Sequence, residues 1–294
     1  MVAVISHDAG GAEVLSSWLL QNDQEFCLVL GGPAISIFQR KLKNIKIISL
    51  EKALILCDWV LCGSSWQSSL EKKAVISAKN AEKKVITFLD HWVNYKQRFE
   101  LNGVTTSPDE IWVTDKHAKK NAKKIFPDLK ITIVENPYMI EIMHDIDSSD
   151  NLKISKNICS VLYVCEPVSD YAKLVYGDSN YLGYTETKAL IFFLKNIYLI
   201  SNKLIKLTIR PHPSEAIDKY NWAINKSPVD TLISNTESLV KQVSKSDVIV
   251  GCESMAMVVG LWAKKRVLSS IPVGGKPCQL PHKKIEYLQN IVCK

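Results

Sequence analysis

The sequence predicts an α/β protein built from two doubly wound domains, each a mostly parallel sheet with helices on both faces. Three observations lead there. Short apolar runs alternate with helical segments along the chain, the pattern of successive βαβ units. Those runs are nearly continuous in Val, Ile and Leu, as strands buried on both faces require. At 294 residues the chain also exceeds what one hydrophobic core usually covers.

In the first half, Val2 to Ser6 reads as a buried strand, followed by His7-Asp8-Ala9-Gly10-Gly11 and an apolar helix through Leu20. Glu25 to Leu30 is the next strand, then a helix over Ala34 to Leu42 and a strand over Ile45 to Ile48. Asp58 to Cys62 is a strand stopped by Gly63-Ser64-Ser65, and Ser69 to Ala81 a Lys-rich helix. Lys84 to Leu89 is a strand ending at Asp90-His91-Trp92, and Glu110 to Val113 and Ile131 to Val134 flank a basic helix. The polar stretch from Asp145 to Asn157, centred on Ser148, Ser149, Asp150 and Asn151, is the linker candidate. It places the domains at 1–145 and 146–294, with Asn136-Pro137-Tyr138 as the hinge.

The pattern then restarts. Strands are expected at Ser160 to Cys165, Lys206 to Ile209, Thr231 to Ile233, Asp247 to Val250 and Arg266 to Leu268. Helices are expected at Thr185 to Leu199, Glu237 to Ser244 and Met255 to Ala263.

Composition excludes several classes. With 47% hydrophobic and 23% charged residues the chain is that of an ordinary globular protein. No apolar run reaches the ~18 residues that span a bilayer, and the first residues lack the basic leader and apolar stretch of a signal peptide. A cytoplasmic protein is expected. The eight cysteines show no framework or zinc spacing, and most lie in apolar runs, so they read as buried thiols, and no metal site is expected. The net charge of +7 is clustered at Lys41, Lys43 and Lys46, at Lys116 to Lys124, and at Lys264 to Arg266. Solvated helix faces account for these clusters, with peripheral contact to an anionic inner membrane as the other reading. No aromatic-interleaved basic motif points to nucleic acid.

Open parallel sheets bind ligands beyond the carboxyl ends of their strands. His7, Asp8, Gly10 and Gly11 follow the first strand: paired glycines let backbone N–H groups approach a ligand, and Asp8 serves either as general base or as helix cap. Asp90 and His91 form a proton-transfer pair or a cap beside Trp92. Arg210-Pro211-His212-Pro213-Ser214-Glu215 is the most specific signal. Two prolines fix the backbone around His212, Arg210 offers a fork of donors for phosphate, and Ser214 opens the next helix. Gly251, Glu253 and Ser254 precede another helix, with Glu253 placed for ribose hydroxyls and Ser254 for a phosphate. Glu166 ends the strand before it, facing either a ligand or water.

At these residues the chain resembles the GT-B glycosyltransferases, in which two Rossmann-like domains face a cleft. Arg210-Pro211-His212-Pro213 is similar to the His-Pro motif of bacterial sialyl-, Kdo-type and capsule transferases, and Gly251-Cys252-Glu253-Ser254 resembles their donor site. The acidic motif of sialyltransferases is absent, with Cys165-Glu166-Pro167 loosely in its place. The resemblance implies a metal-independent transferase without a cofactor. It would move a sugar from a nucleotide-sugar donor, a CMP-activated ulosonic acid, to a glycan or lipid-linked glycan acceptor bound by the first domain. Asp8 or Asp90 would be the base by placement, and His212 and Arg210 would neutralise the leaving nucleotide. UDP-sugar 2-epimerases and hydrolases share the fold and stand as the alternative, as does a non-enzymatic module for polyanions.

Overall fold

The computed structural model describes residues 1–65, 68–149 and 157–293. The chain divides into two compact units, Met1–Glu141 and Ile142–Lys294.

The first unit runs β1 (Val2–Ser6), α1 (Ala9–Gln21), β2 (Phe26–Leu30), α2 (Ala34–Leu42), α3 (Leu50–Leu56), β3 (Trp59–Cys62), α4 (Leu70–Asn80) and β4 (Lys84–Leu89). A two-residue-per-strand hairpin, β5 (Glu100–Leu101) with β6 (Val104–Thr105), leads to β7 (Glu110–Val113), α5 (Lys116–Ile125), β8 (Lys130–Ile133) and α6 (Pro137–Ser149). Six parallel strands form its sheet in the order β2-β1-β3-β4-β7-β8. All five residues of β1 are buried, because helices cover both faces of a central parallel strand. The strand expected at Ile45 to Ile48 is reduced to a single parallel bridge, Ile47 to Leu28, extending the sheet beyond β2. Its hydrophobic positions are half exposed at this edge, so there is little to hold a longer pairing.

The second unit runs β9 (Ile158–Val164), α7 (Val168–Tyr176), α8 (Glu186–Asn196), β10 (Leu204–Arg210), α9 (Asn221–Lys226), β11 (Asp230–Ile233), α10 (Leu239–Ser244), β12 (Val248–Gly251), α11 (Met255–Trp262), β13 (Arg266–Ser269), β14 (Ile285–Tyr287) and α12 (Leu288–Val292). Its sheet is parallel in the order β11-β10-β9-β12-β13-β14. Counted from the first strand this is 3-2-1-4-5-6, the dinucleotide-fold order, whose ligand crevice opens where the order reverses, here between β9 and β12. Val161, Tyr163, Leu190, Phe193, Ile205, Ile209 and Val250 make up much of its core.

The stretch expected to link the domains is helical in its first part, since α6 continues through Ser149; Asp150 and Asn151 lie outside the described residues. Asn136 opens that helix: its Oδ1 accepts from the backbone of Tyr138 and Met139. Lys41 departs from the solvated face expected of its cluster. It is buried and bridges Glu13 of α1 to Glu141 of α6, at 2.9 and 2.7 Å. The α5 lysines Lys116, Lys120, Lys123 and Lys124 are exposed. Six cysteines are buried and Cys27 half-buried. Among the described residues no helix is long and apolar enough to cross a membrane.

Candidate functional site

In the second unit the loops after β10, β9 and β12 leave three neighbouring strands at one edge of the sheet. They carry His212, Glu166 and Glu253 respectively. Glu166 is half-buried, with its carboxylate turned onto the chain's own backbone. Its Oε1 accepts from the backbone N–H groups of Cys252 and Glu253, each at 2.9 Å, across the point where the strand order reverses. Burial pushes its carboxyl up to about 7, against the lowering effect of those N–H donors, and the nearby Glu253 raises it further.

This arrangement corrects one expectation. The donors that precede α11, expected to be open to a phosphate, are held by the chain's own carboxylate. Ser254 caps the helix, its Oγ accepting from Ala256. Glu253 keeps a spare capacity: its Oε2 accepts from the Gln279 backbone at 2.9 Å, and among the described residues Oε1 has no such bond. Its carboxyl is also raised by burial.

Two further expectations change at the Arg-Pro-His-Pro loop. Arg210 is partly committed within the chain: its Nη1 donates to Gln242 Oε1 at 2.6 Å and to the Glu237 carbonyl at 2.8 Å, which leaves a phosphate the donors of Nε and Nη2. At Nη1 the guanidinium meets two neutral acceptors, one just before α10 and one within it. Ser214 does not open a helix; a short 3-10 turn over Ile217–Tyr220 comes later, before α9. Instead, the Ser214 hydroxyl lies 2.7 Å from His212 Nδ1, which also accepts from the Ser214 backbone at 3.2 Å. Burial lowers the imidazole pKa, so the ring is neutral. With Nδ1 an acceptor, the ring proton sits on Nε2, leaving a single directed donor there.

Sequence reasoning missed the group that holds this loop. Glu215 is 2% exposed; it accepts from the His212 backbone at 3.1 Å, from Tyr220 Oη at 2.9 Å and from Lys219 at 2.7 Å. The sole sequence signal was its place in the motif, read there as part of a helix start.

In the first unit the loops after β1, β3 and β4 likewise meet. His7 Nδ1 lies 2.9 Å from Asp8 Oδ1. Asp8 occupies the N-cap position of α1 without making a side-chain cap bond, so the capping reading does not describe it. Asp90 is more committed: Oδ1 lies 3.2 Å from both Ser64 Oγ and Arg98 Nη1. A Cβ on Gly10 would collide with Asp90 Oδ2, so the carboxylate packs directly on the start of α1, whereas one on Gly11 would meet Gly63 Cα at an ordinary contact distance of 3.4 Å. His91 is half-buried against Trp92, with ring centroids 5.5 Å apart; it accepts the Trp92 N–H and is pushed down to about 4 by burial, so it too is neutral.

Arg98 and Glu71 were also missed, since neither belongs to a recognisable pattern. Arg98 is buried and donates to Ser64 Oγ, the Ser64 carbonyl and Asp90. Glu71, at the start of α4, accepts the His7 backbone N–H at 2.7 Å, and burial raises its carboxyl. No group of side chains suited to a metal ion occurs among the described residues.

No protein-family model matches the chain, and no curated protein does. Solved structures do. The UDP-GlcNAc 2-epimerase of Methanocaldococcus jannaschii matches with a TM-score of 0.65 at 12% identity, over 100% of this chain and 92% of its own. That of Neisseria meningitidis, bound to UDP-GlcNAc, matches at 0.62 and 12% identity, over 99% and 89%. The wall teichoic acid polymerase TagF matches at 0.51 and 11% identity, over 100% and 77%. The fold is of the GT-B type. The comparison with these proteins extends to architecture, with two parallel six-stranded sheets and their covering helices.

Proposed function

We propose that the chain is an enzyme acting on a nucleotide-activated sugar, with the nucleotide held by the second unit at the ends of β9, β10 and β12. The observation that carries this reading is the placement, on the strand ends either side of β9, of a fixed imidazole donor after β10 and, after β12, a carboxylate with one oxygen unbonded among the described residues. His212 Nε2 suits a phosphate oxygen, and Glu253 Oε1 suits ribose hydroxyls. Neighbours in fold with nucleotide-sugars bound support it.

Glycosyl transfer is the reaction we assign first. The first unit would serve the acceptor, and Asp8 is the better base there, since Asp90 is tied to Arg98 and Ser64. Departure of the nucleotide would be assisted by the His212 donor, with the Nε and Nη2 groups of Arg210 as further donors. A CMP-linked ulosonic acid remains the proposed donor, on the His-Pro motif alone.

A second reading, 2-epimerisation or hydrolysis of a UDP-sugar, is favoured by the fold similarity to UDP-GlcNAc 2-epimerases across the whole chain. Incubation with radiolabelled UDP-GlcNAc and with CMP-sialic acid, without acceptor, separates the two. Conversion of UDP-GlcNAc alone supports epimerase or hydrolase chemistry. Turnover that waits for a glycan acceptor supports transfer, and turnover under neither condition opposes an enzymatic role on these donors.

A further inference from the structure

Beside Glu253 the second unit carries an aromatic surface that no core requires. Tyr176 and Tyr181 stack with centroids 3.9 Å apart and planes within 16°, yet they are 42% and 47% exposed. Lys276 Nζ stands 4.0 Å from the Tyr181 centroid and 5.1 Å from that of Tyr176. A pair of stacked rings covers one face of each, and Tyr171 meets Tyr176 edge-on with centroids 6.3 Å apart, yet exposure of this size still leaves ring surface of both in solvent.

The surface is built rather than incidental. Tyr176 ends α7, and Gly177 stops the helix in the left-handed conformation. Tyr181 lies in a turn closed by Gly183, which donates to the Asn180 carbonyl at 2.8 Å. The Lys276 backbone N–H donates to the Leu182 carbonyl at 2.8 Å, zipping the two loops together. Gly183 has φ +80°, and a Cβ there would lie 2.5 Å from the Gly274 carbonyl oxygen, so side chains other than hydrogen are shut out of the seam. Three residues past Lys276, the Gln279 N–H is bound to Glu253. The charge of Glu253 is among the influences that raise the Tyr176 phenol, after burial and the neighbouring Tyr171 and Tyr181, which puts the rings within electrostatic reach of that carboxylate.

We propose that the Tyr176–Tyr181 stack is the platform for the nucleobase, with Lys276 donating to a base carbonyl. This rests on the nucleotide reading above and deepens it. A base laid on an exposed ring of the pair extends the stack, while the ribose it carries lies toward Glu253. Two exposed phenol rings with an ammonium beside them match a planar, carbonyl-bearing heterocycle better than a sugar or an acyl chain.

The test compares CMP and UMP with ribose 5-phosphate, the same ligand without its base, by isothermal titration. Removal of a stacking ring typically loses about 1–3 kcal/mol per base, or roughly 5- to 150-fold. Tyr181→Ala and the double variant Tyr176→Ala/Tyr181→Ala are expected to weaken the preferred nucleotide by about 10- to 100-fold and to leave ribose 5-phosphate unchanged. Tyr181→Phe keeps the ring and is expected to keep the affinity, and Lys276→Met to lose part of it. Equal affinity of wild type and the double variant for CMP and UMP, or equal losses for ribose 5-phosphate, overturns the platform and leaves the nucleotide site standing. No binding of either nucleotide by the wild type overturns both.

Discussion

Glu166→Gln removes a charge but not a shape. The amide oxygen still accepts from Cys252 and Glu253, so the loop between β12 and α11 keeps its tether. What changes is the coupling to pH. The carboxyl moves from an ordinary 4.5 to about 7 in the folded chain. The unfolded chain therefore ionises first as pH rises, and between those values the folded state holds more protons. Stability must then fall with rising pH across pH 4.5 to 7 and level off above, by at most about 3 kcal/mol at 1.36 kcal/mol per tenfold. Below 4.5 the group is protonated in both states and has no slope. Glu253 and Glu71, also raised, add slopes of the same sign, so the informative quantity is the difference between wild type and Glu166→Gln. Urea denaturation at half-unit steps from pH 4.5 to 8 gives it. The variant is expected to gain on the wild type by about 2–3 kcal/mol over that range. A difference that stays flat, or slopes the other way, refutes the placement of Glu166 as a buried carboxyl on these N–H groups.

Other substitutions probe the two strand-end sites separately. Arg98→Ala leaves Asp90 buried without its cation and is expected to destabilise the chain by about 3–5 kcal/mol, seen as a lower urea midpoint; Asp90→Asn in the same background should restore part of the loss. Gly183→Ala meets both the positive φ and the Gly274 carbonyl, and is expected to lower stability by about 2 kcal/mol or more by thermal denaturation. Glu215→Ala strips the His212 N–H and the Tyr220 hydroxyl of an acceptor and leaves Lys219 with Glu186. It should cost about 2 kcal/mol of stability and weaken nucleotide binding with it, whereas Ser214→Ala should weaken binding with little change in the melting temperature.

The layered fold was legible because parallel strands buried on both faces leave continuous apolar runs, as Val2 to Ser6 and Val248 to Val250 do. The elements that escaped are those with weaker patterns. Helix α7, over Val168–Tyr176, follows a proline and mixes polar with aromatic residues, and β14, three residues long, gains its stability from pairing with β13. At the candidate site, the residue types that follow strands were legible, but their partners were not. That Arg210 turns to Gln242, thirty-two positions on, or that Glu166 reaches back to the N–H groups before α11, is decided by strand order. Strand order is a property of the whole sheet that no local motif carries. The same holds for Glu71 and Arg98, whose roles exist through His7 and Asp90.

The central claim is that the second unit binds a nucleotide beside His212 and Glu253. Isothermal titration of UDP, CDP and CMP into wild type, His212→Ala and Glu253→Gln at pH 7 addresses it directly. Saturable binding of one of these to the wild type, weakened at least about tenfold in both variants at unchanged melting temperature, is the predicted result. No heat from any of the three, or affinities indifferent to both substitutions, would contradict it.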